Sequence, residues 1–243
     1  MKYIKYLLAI FAAIIISSNI SAQSAEEIVN KHIEALGGTE NIQNVKSLKV
    51  NGFAKVMGID IPYTTYNLAP DKTYFEMSIE GFSIKQAFDG IKAWSLNPLS
   101  GSSTPEVVEG DEAKGIKDRG IIFGRLTTYK NDGASIEMLG KEKVENVDAY
   151  KILYTGADGK KVTYYISTES NLVVKVQKKV TVNGSEMDSE TVFFDYRKIG
   201  SVMMAYAMNT KVKNSPMGSQ NITIENIEIN PTFDETIFSM PSN

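Results

Sequence analysis

The sequence predicts a mainly β protein, in which a curved antiparallel sheet of about 11 strands forms an incomplete, half-open barrel with an N-terminal helix and a helical or irregular lid segment. Two observations predict this fold. From residue 45 onward, apolar and polar residues alternate, as they do in strands that are buried on one face. Asp89-Gly90, Asp158-Gly159 and Asn183-Gly184 separate such runs and favour tight hairpins, so consecutive strands should be antiparallel neighbours.

The N-terminal helix is predicted to begin at Ser24. Its hydroxyl lies three residues before the carboxylate of Glu27, so each side chain can satisfy a free backbone N–H. Apolar residues then form one stripe, and Gly37-Gly38 can take the left-handed conformation that ends a helix. His32 lies on that stripe, and we interpret it as a histidine packed between helix and sheet, because no partner for a catalytic role is visible.

The strand candidates are too numerous for a flat open sheet, which would curl, split or close. No internal repeat and no domain boundary is visible, so residues 23–243 are expected to form one half-barrel domain. The candidates cover residues 46–57, 60–67, 73–80, 83–88, 91–96, 135–140, 147–155, 161–167, 172–182, 187–196 and 202–213, with a twelfth at 220–229.

Residues 97–132 interrupt the alternation with Pro98, Pro105, several glycines and a stretch of mixed charge. Two interpretations remain open: a functional, mobile lid, or a helical connection that plugs one end of the sheet. On the lid interpretation, an apolar cluster covers the empty interior and moves aside for a ligand. This cluster consists of Ile121, Ile122, Phe123 and Leu126.

Residues 1–22 have the pattern of a secretory signal peptide. Lys2 and Lys5 precede an apolar run over residues 6–16, and small or polar residues follow. Because a membrane-spanning helix needs about 20 apolar residues, a cleaved leader is favoured over an anchor. We expect cleavage near Ala22 and a soluble protein in the periplasm.

The composition excludes several kinds of chemistry. The chain has no cysteine and one histidine, which excludes disulfides, thiolate metal sites and multi-histidine metal sites. The net charge of -3 and the scattered basic residues lack the footprint of a nucleic-acid partner. The carboxylates at 106, 109, 111 and 112 lie among lysines and indicate a solvated charge run. We therefore expect no enzyme, no cofactor and no metal.

Short strings along the mature chain occur in an order that resembles a known family. They are Ala25–Val29, Ala35–Gly38, Val45–Leu48, Tyr66–Lys72, Phe88–Gly90, Trp94–Pro98, Tyr150–Ile152, Tyr164–Ser167, Asn171–Lys175, Ile227–Pro231 and Phe233–Pro241. In this order they resemble the LolA-like family of outer-membrane lipoprotein-sorting proteins. The resemblance implies a half-open barrel with helices as a lid over an apolar concave face.

The resemblance also implies a cargo: the acyl chains of lipoproteins, or another lipid, carried through the periplasm towards the outer membrane. Membrane-bound donor and acceptor proteins would then be partners of a monomeric carrier. The classical carriers have an arginine inside the cavity that links lid and sheet. The sequence does not assign this role, because Arg119 and Arg125 lie in the irregular segment and Arg197 lies near a strand end.

The residues expected to bind the cargo are apolar side chains of the strands, including flexible methionines that adapt to irregular ligands. A filled core would use the same residues, so a structural envelope protein without ligand stays an alternative, as does a module that senses lipids or lipoproteins. The candidate cavity residues are Val50, Tyr66, Phe75, Met77, Phe88, Trp94, Leu96, Val174, Met203 and Met208.

Overall fold

The computed structural model describes residues 24–182, 185–215 and 218–241. The predicted signal peptide and the Asn183-Gly184 turn lie outside the described residues. Three α-helices are present in the described ranges: α1 (Ala25–Ala35), α2 (Thr39–Asn44) and α3 (Gly110–Arg119). Short 3-10 turns occur at Pro98–Ser100, Arg125–Thr127 and Glu235–Phe238.

Thirteen strands form one antiparallel sheet, which confirms the predicted fold class. The prediction missed β6, a three-residue strand in the mixed-charge segment, and the twelfth candidate corresponds to β13. The strands are β1 (Ser47–Val56), β2 (Ile59–Leu68), β3 (Lys72–Ile79), β4 (Phe82–Phe88), β5 (Ala93–Leu96), β6 (Glu106–Val108), β7 (Ser135–Val144), β8 (Val147–Thr155), β9 (Lys161–Ser167), β10 (Val173–Val182), β11 (Ser185–Ile199), β12 (Val202–Val212) and β13 (Ser219–Ile229).

The sheet consists of two meanders that meet at its centre. Its order is β6-β5-β4-β3-β2-β1-β13-β12-β11-β10-β9-β8-β7, so the first meander runs from β1 to the β6 edge and the second from the β7 edge to β13. β1 and β13 join the two meanders through the register from Leu48 opposite Ile229 to Lys55 opposite Asn221. The connection from β6 to β7, residues 109–134, must therefore pass from one edge of the sheet to the other.

The sheet is curved, because α3 contacts both halves of it. This helix packs against β3, β4 and β5 and also contacts β10. In a flat sheet β3 and β10 would lie roughly 29 Å apart, at about 4.8 Å per strand, whereas a helix of 10 residues is only about 15 Å long. The two meanders therefore bend towards each other around the connection.

The helices pack on one face of the sheet, which we call the inner face and define by Leu48, Phe75 and Ile152. Residues paired directly across strands project from the same face, so the register assigns the other positions. Ile152 belongs to a buried cluster with Ile28 and Val29 of α1. Leu48 belongs to a second buried cluster, against which residues of the connection pack.

α1 begins and ends as the sequence predicts. The backbone N–H of Glu27 donates to the hydroxyl of Ser24 at 3.1 Å. At the other end Gly37 has φ of 128°, and a Cβ at this position would lie 2.4 Å from the carbonyl oxygen of Ser201. Glycine is therefore required where the chain leaves the helix and passes close to the sheet.

His32 is buried between α1 and the sheet, with 3% of its surface exposed. Its Nδ1–H donates to the backbone carbonyl oxygen of Asn171 at 2.9 Å. Burial lowers the pKa of His32 from 6.5, and the hydrogen bond to Asn171 opposes this shift only in part. The histidine packs as a neutral side chain, as its place on the apolar stripe indicates.

We predict that the protein loses stability as the pH falls from 7.5 to 5.5. The pKa of His32 is lower in the folded state than in the unfolded state, so the unfolded state binds the proton more readily below about pH 6.5. The slope contributed by this one group is at most ~1.4 kcal/mol per pH unit. Urea unfolding at the two pH values measures it.

The matched control is His32→Gln, which retains a hydrogen-bond donor for the Asn171 carbonyl but does not titrate. Its free energy of unfolding should depend less on pH in this range than that of the parent protein. An identical pH dependence of the two proteins would contradict the assignment, since His32 is the one histidine of the chain.

Candidate functional site

A cleft of about 1540 Å³ lies between α3 and the strands of the second meander. We call it the trough and define it by Gln86, Arg119, Tyr154, Lys178 and Ser189, which line it together with other residues of the connection and of β8 to β12. Many of its lining side chains are charged. A polar trough therefore lies beside the apolar inner face.

α3 crosses the sheet between two sets of ion pairs. Towards the second meander, Lys114 lies 3.3 Å from Asp158, and Asp111 lies 2.6 Å from Lys160. Towards the first meander, Lys117 lies 3.1 Å from Asp71. These pairs are largely exposed, and exposed pairs stabilise by only about 0–1 kcal/mol each. They fix the position of the helix, whereas buried Ile116 on its inner side supplies the apolar contact.

Arg119, the last residue of α3, lies over the first meander. Its guanidinium donates to the side-chain oxygen of Gln86 on β4 at 2.6 Å and lies 5.8 Å from the ring centre of Phe75. Its backbone carbonyl accepts a hydrogen bond from Asn67 at 2.8 Å. Next to it, a Cβ on Gly120 would lie 1.9 Å from the carbonyl oxygen of Asp71. The connection therefore approaches the β2–β3 turn closely at this point.

Arg125 joins the two ends of the connection. It is hydrogen-bonded and ion-paired to Asp118 and lies 3.5 Å from Asp132. Asp132 also accepts a hydrogen bond from the hydroxyl of Thr128 at 2.6 Å. Burial opposes the charge on Arg125, but the hydrogen bond and the charge of Asp118 outweigh it and raise the pKa of Arg125. Arg125 therefore links two parts of the connection through Asp118 and Asp132.

The register divides the predicted cavity residues between the two faces of the sheet. Half of them project from the inner face and half from the opposite, outer face, so one cavity cannot take in all of them. The inner-face residues are Val50, Phe75, Met77, Phe88 and Met208. The outer-face residues are Tyr66, Trp94, Leu96, Val174 and Met203.

The outer-face aromatic residues pack beneath the carboxyl-terminal segment. Trp94 is 1% exposed, and its indole N–H donates to the carbonyl oxygen of Phe238 at 2.8 Å. The ring of Tyr66 lies 5.4 Å from that of Phe233 and 6.2 Å from that of Tyr74. Residues 231–241 therefore cover this patch, and its aromatic side chains form a second core rather than the wall of a cavity.

The predicted lid residues lie over the inner face. Ile122 and Phe123 pack against the buried cluster of Val45, Leu48, Val202, Ile224 and Ile227. Leu126 is 1% exposed and belongs to the cluster under α1. Ile121 is half-buried. The connection thus fills part of the interior with its own apolar side chains.

The sequence prediction missed several inner-face residues. They are apolar or aromatic, remain half-buried in the structure and lie on β2, β9, β10, β11 and β12. The alternation of each strand contains the signal, but it identifies one face only once the register is known. These residues are Tyr63, Tyr164, Val176, Phe193, Met204 and Tyr206.

The described ranges contain neither a cluster of metal ligands nor a membrane-spanning helix. No group of three or more His, Cys, Asp or Glu side chains there is arranged to hold a metal ion. Within the same residues, no helix has the length and apolar character needed to cross a membrane.

Comparison with known proteins identifies the fold. No family model and no curated protein matches the sequence. A LolA superfamily protein from Nitrosomonas europaea is similar in structure, with a TM-score of 0.59 at 14% identity, over 89% of this chain and 98% of that one. A DUF1329 family protein from Desulfovibrio piger has a TM-score of 0.59 at 11% identity, over 88% and 97% of the two chains.

A putative outer-membrane lipoprotein-sorting protein domain from Vibrio parahaemolyticus is also similar, with a TM-score of 0.55 at 12% identity, over 88% of this chain and 95% of that one. At such low identity these likenesses concern the fold. They agree with the order of strings in the sequence and with the open, curved sheet. The chain has the LolA-like fold.

Proposed function

We propose that this protein binds lipid, either the acyl chains of lipoproteins or another lipid, and carries it through the periplasm towards the outer membrane. The observation that supports this most is the inner face, where large apolar side chains such as Phe75, Met77 and Met208 remain half-buried, and where Phe75 contacts Arg119 of the 1540 Å³ trough. A packed core would enclose such side chains. The proposed carrier is a monomer, and its proposed partners are donor and acceptor proteins in the membranes.

The physical requirement for a carrier is a surface that replaces water around an acyl chain. Each buried CH₂ contributes about 0.8 kcal/mol, so a chain of ordinary length would gain on the order of 10 kcal/mol before ordering costs. The inner face offers aromatic, branched and thioether side chains along the strands from β3 to β10. Most outer residues of the same strands are polar, and outer Tyr66 packs against the carboxyl-terminal segment, whereas Phe194 on β11 is 40% exposed.

A structural envelope protein without ligand is the second candidate. It is favoured by the packing of Ile122 and Phe123 into the central cluster, because these side chains occupy space that an acyl chain would need. The two functions differ in whether the connection leaves this cluster. In a carrier it is displaced when lipid binds, whereas in a structural protein it stays in place.

We predict that lipid co-purifies with the protein from the cell envelope without detergent. Extraction of the denatured protein and mass spectrometry should reveal acyl-containing molecules in near-stoichiometric amount. A delipidated sample should take up added lipid again. If the purified protein is free of lipid and takes up none, the structural alternative holds and the carrier function is refuted.

We predict that Met208→Gln weakens the binding of a fluorescent fatty acid by roughly fivefold to tenfold, because a polar group then lies on the apolar inner face. Met203→Gln is the matched control. Both residues belong to β12, but Met203 projects from the outer face. Equal affinities of the two variants in fluorescence titrations would show that the inner face does not contact the ligand.

We predict that Ile122→Asp and Phe123→Asp lower the thermal stability and tighten fatty-acid binding several-fold. Each substitution weakens the packing of the connection on the central cluster, so the ligand has less to displace. Calorimetry and fluorescence titration measure the two effects.

The control for these lid variants is Ile91→Asp, at a hairpin tip with 90% of its surface exposed. It introduces the same charge and should change neither quantity. Unchanged affinity in both lid variants would contradict a lid that competes with the ligand.

A further inference from the structure

We propose that the trough binds the anionic head group of a single-chain amphiphile, a carboxylate or a phosphate monoester, between Arg119 on the connection and Lys178 on β10. This inference rests on the proposed lipid binding and specifies the chemical class of the lipid. The acyl chain would extend from the two cations along the half-buried apolar residues of the inner face.

Arg119 lies in the trough, and no carboxylate among the described residues is its partner. Its one hydrogen-bonding side-chain partner is the neutral oxygen of Gln86, and its other close contact is the ring of Phe75. Glu112, two turns earlier on α3, acts on it through its charge only, and no described carboxylate lies within ion-pair distance. Surrounding protein desolvates the guanidinium and lowers its pKa, although the side chain still contacts solvent in the trough.

Lys178 is placed on the inner face by its register, opposite Val162 of β9 and Ser189 of β11. It interrupts an otherwise apolar pattern, since Val176 and Val180 are its neighbours on the same face of β10. Among the described residues no carboxylate forms an ion pair with it. Burial lowers the pKa of Lys178, the charge of Asp118 opposes this shift, and Arg119 and Arg125 add to it, so this lysine shares one electrostatic environment with both arginines and with Asp118.

Most other charges around the trough are paired locally or project from the outer face. Among the described residues Glu112 is an exception, because it lines the trough without an ion pair and acts on Arg119 through its charge. Arg125 is paired with Asp118 and Asp132. The remaining pairs at the rim are Asp111 with Lys160, Lys114 with Asp158, Lys179 with Glu186, and Lys213 with Asp188. Lys161 and Lys211 project from the outer face by their register. Arg119 and Lys178 are thus the cations that remain for a ligand inside the trough.

These two cations suit a monovalent or divalent anion attached to an apolar chain. A guanidinium binds carboxylate or phosphate oxygens through two parallel N–H donors, and an ammonium adds a compact charge. Both side chains are exposed in the trough, so an anion can reach each of them, and neither has an ion-pair partner among the described residues. Phe75 contacts Arg119 directly, which places the start of the apolar surface beside the head group.

The experiment compares a charged ligand with its neutral counterpart. The wild-type protein is titrated at pH 8 with an anthroyloxy-labelled stearic acid and with the methyl ester of the same molecule. We expect the acid to bind roughly tenfold tighter than the ester, the size of one charge-assisted hydrogen-bonded contact. Displacement by lysophosphatidic acid or by unlabelled stearate then distinguishes a phosphate from a carboxylate head group.

Arg119→Gln and Lys178→Gln should each reduce the preference for the acid while leaving the affinity for the ester unchanged. Arg119→Lys should retain part of the preference, because it retains the charge. Lys198→Gln is the matched control: it removes the same charge from the outer face of β11 and should retain the full preference. Thermal unfolding of each variant checks that the fold is intact.

The outcomes separate the two proposals. If the wild-type protein binds acid and ester equally, or if the Arg119 and Lys178 variants keep the full preference for the acid, the anionic site is refuted while lipid binding stands. If the wild-type protein binds neither probe, the carrier function itself is refuted and the head-group site with it. Loss of ester binding in the variants would assign the two residues a structural role and overturn the head-group site.

Discussion

The pairing of β1 with β13 is the constraint on which the rest of this structure depends. It places the first strand of one meander and the last strand of the other at the centre of the sheet, so β6 and β7 become its two edges. Residues 109–134 must then cross from one edge to the other. The shortest route lies over the inner face, and a covering segment is therefore a consequence of the strand order.

The energetics of this crossing are compatible with the displacement of the segment that the proposed function requires. Its ion pairs at the rim are exposed and weak, and most of its stabilisation comes from a few apolar side chains, Ile116, Ile122, Phe123 and Leu126. Burial of one such side chain contributes about 1.5–3 kcal/mol. An acyl chain that buries a similar apolar area in the same place would gain a similar free energy, so it would compete with these side chains for the inner face.

Much of the fold is predictable from the sequence because alternation and turn residues are local signals. They predict the α1 cap at Ser24 and nearly all of the strands. They fail for β6 and α3, since residues 106–119 are mostly charged, and the contacts that fix α3, such as Lys117 with Asp71, involve residues distant in the sequence.

The candidate site is predictable only in part, because the alternation of a strand separates its two faces without indicating which face lies inside. β3 carries Tyr74 on the outer face and Phe75 on the inner one.

Two aromatic faces arise because both sides of the first meander are covered, by the carboxyl-terminal segment outside and by the connection inside. The outer cover is closed. The indole N–H of Trp94 is hydrogen-bonded to the carbonyl oxygen of Phe238, and the ring of Phe238 packs edge-to-face against that of Phe233. The inner cover leaves a trough with unpaired cations beside half-buried apolar side chains. An apolar residue at position 178 would continue the stripe of Val176 and Val180, whereas Lys178 brings into the trough a cation that no described carboxylate pairs with. Packing within the protein therefore does not account for this charge, and the proposed head group does.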